Sequence, residues 1–252
     1  MEAKRSKFAT AVLANRLYVV GGYDFRSAPT ATVERYDTQS GEWSLASPMH
    51  TQRAELAAAA LGSQLYALGG LDEDGNELAT VERFDGKDWS DAPSMSRPRC
   101  GHCAVTLEDR VYALGGYDGE GVVATVECLQ FGVWTSVAPM STPRKSFAAA
   151  VLAGELYVLG GHDDEATQLE TVERFDPSSG IWASAPALHQ ERSAFAAAVL
   201  GGELYALGGL DDQYDTLATV ERFVPRAGVW VDAPALQTAR SDIAAAVLGD
   251  FR

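Results

Sequence analysis

The chain has 252 residues, a net charge of −15, 46% apolar residues and 24 glycines, a composition that suits one large all-β domain with many turns. The negative charge argues against nucleic acid and against anionic membranes, because binding to either depends largely on Lys and Arg. No stretch of the sequence approaches the roughly 18 consecutive apolar residues of a membrane span.

The N-terminal segment and the cysteines indicate the cellular compartment in which the protein is expected. Residues 1–7 are short and basic, and no apolar run with a cleavage site follows them, so no signal peptide is expected. The three cysteines are an odd number, which does not suit a disulfide framework, and a reducing compartment is the simplest interpretation. We therefore expect a cytoplasmic protein.

One pattern recurs five times along the chain. Each copy opens with an Arg and an Ala-rich segment. It continues through Leu-Tyr or Val-Tyr to Gly-Gly, and then through Thr-Val-Glu to a Trp and a Pro. The Gly-Gly pairs begin at Gly21, Gly69, Gly115, Gly160 and Gly208, and the tryptophans are Trp43, Trp89, Trp134, Trp182 and Trp230. The Gly-Gly pairs are 45 to 48 residues apart. A repeat of this length is the signature of a solenoid, a propeller or an array.

Each copy contains four short segments with strand character. In the fourth copy they are 147–152, 156–159, 171–175 and 181–183, separated by Gly, Asp, Pro and Ser. Their connections are too short for crossover helices, so neighbouring strands should be antiparallel. Ala is a poor strand former, and an Ala-rich first strand fits the crowded axis of a propeller. The Trp of the outer strand should bury a large area between blades.

The pattern resembles the Kelch repeat over nearly the whole chain. The resemblance implies an all-β fold: one domain over 1–252, a β-propeller of four-stranded antiparallel blades. The repeats span about 5–52, 53–98, 99–143, 144–191 and 192–239. Residues 240–252 should add the inner strand of a sixth, because 240–248 repeat the opening pattern without a further Gly-Gly. We favour a ring closed by five blades; the alternative is an open crescent from a longer six-bladed protein.

A candidate binding face follows from the strand directions. The loop before each first strand and the loop after each Gly-Gly should meet at one mouth of the channel. In Kelch propellers of the adaptor type, this face typically binds peptides. Carried onto this chain, the predicted partner-binding residues are Arg5, Arg53, Arg99, Arg144, Arg192, Arg240, Tyr23, Tyr117, His162, Ser193 and Ser241. An open alternative is that each Arg bonds the Glu of Thr-Val-Glu in its own repeat.

The loops after Gly-Gly are acidic. Residues 23–29, 71–78, 117–121, 162–170 and 210–215 hold 14 acidic residues and one basic residue, Arg26. A varied loop in a fixed frame is typical of a binding surface, and a partner with basic segments would suit it. The alternative is that the acidic loops only keep the protein soluble. The Asp two places after each Gly-Gly is predicted to form a turn through its own side chain.

Several local motifs suggest chemistry, but none predicts an active site. Cys100 and Cys103 match a redox dithiol, yet residues three apart on a strand point to opposite faces. No second paired motif completes a zinc set. Segment 72–77 lacks the spacing of an EF-hand, so dedicated calcium binding is not expected. The four histidines do not form the copper set of the Kelch-type sugar oxidases. We predict no catalytic residue, no metal and no cofactor.

The predicted function is a non-enzymatic scaffold for protein–protein interaction. The resemblance implies a substrate-recognition module of a ubiquitin-ligase adaptor, or an actin-binding module. The expected partner is a protein or peptide, and neither nucleic acid nor a membrane. The alternative is a small-molecule, sugar-type enzyme that uses the channel mouth, because paired carboxylates are abundant in the loops.

Overall fold

The computed structural model describes residue 1 and residues 3–248, which form twenty strands in five sheets. Blade 1 contains β1 (Ala9–Leu13), β2 (Arg16–Val20), β3 (Val33–Asp37) and β4 (Glu42–Ala46). Blade 2 contains β5 (Ala57–Leu61), β6 (Gln64–Leu68), β7 (Val81–Phe84) and β8 (Trp89–Ala92). Blade 3 contains β9 (Cys103–Leu107), β10 (Arg110–Leu114), β11 (Val126–Gln130) and β12 (Val133–Val137). Blade 4 contains β13 (Ala148–Leu152), β14 (Glu155–Leu159), β15 (Val172–Asp176) and β16 (Ile181–Ala185). Blade 5 contains β17 (Ala196–Leu200), β18 (Glu203–Leu207), β19 (Val220–Val224) and β20 (Val229–Ala233).

Each blade is an antiparallel meander in chain order, as the short connections predict. In blade 4, Ala150 pairs with Tyr157, and Tyr157 pairs with Arg174 on its other side. The first two strands are joined by Ala153 and Gly154, whose φ angles are 52° and 83°. Two residues with positive φ make a type I′ hairpin turn, which matches the twist of the flanking strands.

The hydrophobic core lies between the blades. Tyr18 and Val20 of blade 1 are buried in one cluster with Leu65 and Phe84 of blade 2. The rings of Tyr18 and Phe84 meet edge to face, with their centroids 5.7 Å apart. Towards the axis, the Ala-rich inner strands contact one another in the order β1, β5, β9, β13 and β17. Small side chains let these strands approach, which accounts for alanine where strand propensity disfavours it.

Four of the five tryptophans join neighbouring blades. The indole Nε1 of Trp89 donates to the carbonyl oxygen of Ser47 in blade 1 at 2.8 Å. Trp134, Trp182 and Trp230 make the same bond to the preceding blade. Trp89 and Trp230 are also buried, which confirms the predicted burial between blades for these two, whereas Trp134 and Trp182 are half-buried.

The predicted inner strand of a sixth blade is wrong. Residues 243–248 are not in a strand, and five blades contain every strand of the described residues. The segment has the sequence of an inner strand but no second strand to pair with among those residues. Without a ladder its backbone groups stay unpaired, so the local pattern alone does not produce a strand. Residues 249–252, also assigned to the partial repeat, lie outside the described residues.

The segment that follows blade 5 is bonded to that blade. Gly209 in the last Gly-Gly pair donates its N–H to the carbonyl of Arg240 at 2.8 Å, just as Gly161 donates to Arg192 at 2.8 Å. A ring closed by five blades would give this place to Arg5. Residues 240–245 line one cavity together with Arg5 and Phe8 before blade 1 and Leu207 of blade 5, so they lie beside both blades. Among the described residues, no helix is long and apolar enough to cross a membrane.

Candidate functional site

Four of the repeated arginines are the largest fully buried side chains of the protein. Arg144 shows the arrangement that they share. Its Nη1 donates to the carbonyl oxygens of Gly160, at 2.7 Å, and Thr171, at 3.2 Å. Its Nη2 donates to the Thr171 hydroxyl at 3.2 Å and to the carboxylate of Glu173 at 2.8 Å. We call this set of contacts the arginine lock, because it ties the end of the second strand to the start of the third.

The lock occurs once in every blade. The distance from Nη2 to the Glu carboxylate lies between 2.6 and 3.0 Å in all five. The pairs are Arg5–Glu34, Arg53–Glu82, Arg99–Glu127, Arg144–Glu173 and Arg192–Glu221. This is the structural bond that the sequence left open as the alternative to ligand binding. Five predicted partner-binding arginines thus have guanidinium groups that are already hydrogen-bonded inside the fold.

The carboxylate of each lock also binds the segment that precedes the arginine of the same lock. Glu173 accepts hydrogen bonds from the backbone N–H groups of Ser141 and Thr142, at 2.6 and 3.1 Å. Burial favours the neutral acid, but these donors and Arg144 outweigh it and hold the pKa of Glu173 below its ordinary value. The pKa of Glu127 is lowered in the same way against burial, by Ser96 and Arg99. The Arg144–Glu173 and Arg99–Glu127 locks are therefore ion pairs at neutral pH.

Arg240 differs from the other arginines. It is exposed, and its guanidinium contacts no carboxylate among the described residues, which include only five Thr-Val-Glu segments. The sequence treats Arg240 as equivalent to the other five. The structure separates it from them because its partners would lie on strands that the described chain does not supply.

The two kinds of loop meet at one face, as the strand directions predict. Bridges join the residue after each Arg to the residue after each Gly-Gly; the pairs are Ser6–Tyr23, Ala54–Leu71, Cys100–Tyr117, Lys145–His162 and Ser193–Leu210. Tyr23, Tyr117 and His162 are half-buried beside the mouth, and Ser193 is buried. Ser241 is half-buried and has no such bridge among the described residues.

A ring of residues in the left-handed region surrounds the channel mouth. It consists of the residue two places after each Arg: Lys7, Glu55, Gly101, Ser146, Ala194 and Asp242, with φ angles between 50° and 59°. Each N–H donates to the carbonyl oxygen of the preceding member, at 2.8 to 3.0 Å, from Glu55 round to Asp242. The repeat pattern did not predict this ring. Only Gly101 signals a positive φ by its residue type, and the fixed offset from the Arg was the one other signal.

The charged members of this ring make the mouth polar. Lys7 Nζ lies 2.7 Å from one oxygen of Glu55, and Lys145 Nζ lies 3.4 Å from the other. Burial opposes both charges of the closer pair, yet the hydrogen bond between Lys7 and Glu55 raises the pKa of Lys7 and lowers that of Glu55. Burial raises the pKa of Asp242. Lys7, Glu55 and Asp242 line a cavity of about 120 Å³ at the mouth.

The acidic loops form a rim around this mouth. In the first loop, Asp24 Oδ1 accepts from the N–H groups of Arg26 and Ala28, at 2.8 and 3.0 Å. The equivalent Asp of each other loop closes the same kind of turn, which confirms the predicted role; these are Asp72, Asp118, Asp163 and Asp211. Their neighbours Glu73, Asp74 and Glu165 point to solvent. The turn carboxylates hold the loops, and the remaining acids are available at the rim.

The cysteines are not poised for redox chemistry. Burial raises the pKa of the Cys100 thiol to about 11 and that of Cys103 to about 12. The Cys103 Sγ donates to the carbonyl oxygen of Phe147 at 3.0 Å. The thiolate is the reactive form, so both groups are inert at neutral pH.

His102 is a polar residue in an apolar position. It takes the place that Phe147 and Phe195 hold in the next two blades, and neither of its ring nitrogens has a partner. Burial lowers its pKa to about 3, and the charge of Arg99 adds to this effect. Nowhere in the described part of the chain do three His, Cys, Asp or Glu side chains converge as a metal site would require.

Comparison with known families agrees with this architecture. The family model described as the KLHDC2/KLHL20/DRC7 Kelch-repeats domain matches residues 7–209. The Kelch motif model matches residues 191–237. None of the curated proteins compared with the chain matches it.

Proposed function

The chain belongs to the Kelch-repeat family, and from this we propose that it is a protein-interaction module whose binding surface is the loop face at the channel mouth. Kelch propellers typically bind protein partners. The observation that carries the choice of face is that ten loops from five blades meet there, on a frame held rigid by the arginine locks. Loops on a rigid scaffold are the usual carriers of binding residues.

We propose that residues other than the locked arginines contact the partner. We propose that Tyr23, Tyr117 and His162 line the path of an extended peptide around the mouth. Lys145 lies over the ring of Tyr117, with its Nζ 5.4 Å from the ring centroid, and adds a cation to this path. The buried guanidinium groups position the loops and do not touch the partner, because contact would require breaking their bonds.

The charge of the rim favours a partner with a basic segment. Exposed carboxylates that surround a polar mouth attract cationic chains and speed their association. The acids that close turns are already hydrogen-bonded, so the attraction comes mainly from their exposed neighbours Glu73, Asp74 and Glu165.

The test is selection from a displayed random-peptide library, followed by affinity measurements on three proteins. One is the native protein and one carries Glu73→Gln, Asp74→Asn and Glu165→Gln at the rim. The control carries Asp88→Asn, Glu108→Gln and Asp109→Asn on turns of the opposite face, so that its net charge changes equally. We expect Lys- and Arg-rich peptides whose affinity falls about tenfold in the rim variant, or roughly 1.4 kcal/mol, and is retained in the control.

Further substitutions separate the face from its charge. Tyr117→Ala and His162→Ala remove the proposed path without changing the formal charge at pH 7. Peptides that bind these variants, the rim variant and the control with equal affinity would show that the binding face has been assigned wrongly. Failure to select any peptide, together with turnover of sugars by the purified protein, would replace the binding module with an enzyme.

A further inference from the structure

We infer that two copies of this chain pair edge to edge through β12 (Val133–Val137), the outer strand of blade 3. Within the described residues β12 pairs with β11 alone, so its other side presents backbone N–H and C=O groups at the circumference of the propeller. This edge is separate from the channel mouth, so the inference does not depend on the proposed peptide site.

The outer hairpin of blade 3 differs in charge from those of the other four blades. In those blades an Arg follows the Glu of Thr-Val-Glu, and the two outer strands with their turn hold between two and five charged residues besides that Glu. In blade 3 Cys128 takes the place of the Arg, and residues 128–143 contain no charged residue. Charged side chains at an edge are a usual protection against pairing with another chain. The edge of β12 lacks this protection.

The side chains beside this edge confirm the difference. In blade 1, Arg35 donates from Nε to the hydroxyl of Ser44 on the outer strand at 3.0 Å, which places a cation beside that strand. In blade 3, Cys128 is buried and its Sγ lies 3.3 Å from the hydroxyl oxygen of Thr135 on β12. Thr135 itself is exposed. The middle of the β12 edge is therefore accessible and neutral.

The turn that leads into β12 displays an aromatic side chain. Phe131 is 92% exposed and has a φ of 51°, and Gly132 has a φ of 80°. Two positive φ angles make a type I′ turn, in which Asn or Asp is preferred at the first position and a bulky residue is strained. Val133 beside it is 59% exposed. Because an exposed and strained Phe adds little to the folded monomer, its placement points to a contact outside the monomer.

The sequence of β12 is complementary to a second copy of itself. In an antiparallel pair with its two-fold axis at Thr135, every residue of the strand faces a residue of the other copy. Valine, threonine and aromatic residues are good strand formers and favourable cross-strand neighbours. Such a contact uses the same patch on both copies and therefore closes as a dimer. The opposed residues are Val133 and Val137, Trp134 and Ser136, and, beyond the strand, Phe131 and Pro139.

The charge of the chain favours this edge over the others for self-association. Each copy carries a net charge of −15, so two copies repel each other at most possible contacts. The outer strands of blades 2 and 5 carry the exposed carboxylates of Asp91 and Asp232, and pairing either strand with its own copy would bring like charges together. The β12 edge combines the absence of charge with strand-forming residues.

The expected interface is small. Two Phe131 side chains bury about 300–500 Å², and with the paired strands the total is about 600–1,000 Å², at the lower limit of specific interfaces. We therefore expect a weak, reversible dimer with a dissociation constant in the micromolar range. Added salt should strengthen it, because salt screens the repulsion between the two acidic copies. The attraction between a basic peptide and the acidic rim should weaken under the same change.

The test is sedimentation equilibrium of the intact protein over about 1–300 μM, at low and at high salt. Thr135→Lys places two like charges opposite each other at the two-fold axis. The control Ala183→Lys makes the same change of charge at the equivalent exposed position of β16. We expect Thr135→Lys to weaken the dimer by at least about tenfold and the control to dimerise like the native protein. Hydrogen exchange of the amides of residues 133–137 should slow as the concentration of the native protein rises.

A second variant separates dimerisation from folding. Phe131→Asn introduces the residue that a type I′ turn prefers, so the folded monomer should become more stable while the dimer becomes weaker. Other results would overturn the inference. A native protein that stays monomeric over the whole concentration range, equal effects of Thr135→Lys and Ala183→Lys, or protection confined to other outer strands would each remove β12 as the interface between two copies.

Discussion

The arginine lock predicts opposite outcomes for two arginines that have the same sequence pattern. Arg144→Met removes a guanidinium that makes four hydrogen bonds and leaves the Glu173 carboxylate buried without its cation. Breaking a buried pair by removing one partner costs about 3–5 kcal/mol, most of it from the uncompensated charge. Arg240→Met is the matched control, because this arginine is exposed and has no lock.

The expected change in the free energy of unfolding depends on how deeply each arginine is buried. For Arg240→Met we expect a change within about 0.5 kcal/mol, as for exposed residues without special contacts. For Arg144→Met the expected loss is a large part of the 5–15 kcal/mol by which domains of this kind are stable. Urea unfolding, followed by tryptophan fluorescence, measures both variants in the same buffer.

Two further observations distinguish the lock from simple loss of packing. The double variant Arg144→Met with Glu173→Gln should recover part of the lost stability, because the buried charge is gone. The single variant should be least destabilised at low pH, where protonation of Glu173 removes the same charge. Equal losses for Arg144→Met and Arg240→Met would refute the argument that the lock, and not the sequence pattern, carries the stability.

Three further variants test other parts of the fold. His102→Phe should raise the free energy of unfolding by about 1–3 kcal/mol, because it replaces an unpartnered buried imidazole. The native His102 has a pKa of about 3, whereas the same side chain in the unfolded chain has a pKa of about 6.5. Between these two pH values the unfolded chain binds a proton at His102 and the folded protein does not. The native protein should therefore lose stability as pH falls from 6.5 to 3, and the variant should lose less; urea unfolding at several pH values checks both points. Gly69→Ala places a Cβ 2.5 Å from a backbone carbonyl oxygen at a φ of 58°, whereas Gly62→Ala, at a φ of 61°, meets nothing within 4 Å. Thermal unfolding should show a loss of about 1 kcal/mol for Gly62→Ala and a clearly larger loss for Gly69→Ala, and equal losses would contradict the close approach. Cys100 and Cys103 should resist iodoacetamide in the folded protein at pH 8 and react on unfolding, as mass spectrometry can follow; rapid native labelling would contradict their raised pKa values.

The blade architecture is readable from the sequence because its determinants are local and repeated. Gly-Gly, Thr-Val-Glu and the outer Trp each recur in register, so five copies confirm one another where one copy would be ambiguous. The antiparallel order, the burial of Trp89 between blades and the turn role of Asp24 follow from residue types alone. A repeated pattern of this kind predicts the structure of a blade well, because each blade packs against neighbours of the same kind.

The errors arise where a unit lacks its neighbours. Residues 243–248 carry the inner-strand pattern, yet a strand needs a ladder partner, and the described chain supplies none. The repeated Arg pattern is compatible with a buried structural arginine as well as with an arginine that binds a partner. The choice depends on whether Glu173 and its equivalents reach the guanidinium, a distance of tertiary structure that spacing does not reveal. The ring of left-handed residues at the mouth could not be predicted, because residue types such as Lys7 and Glu55 give no indication of a positive φ.

The hydrogen bonds around the mouth have a direction. From Glu55 to Asp242 each N–H points to the carbonyl of the member before it, so the amide dipoles follow one another around the channel. In a closed circuit such dipoles would cancel. Here the described residues contain no bond from the N–H of Lys7 to the carbonyl of Asp242, so the circuit is an open arc with a net electric moment. Its positive end is at Lys7 and its negative end at Asp242, which polarises the break in the ring before any partner approaches.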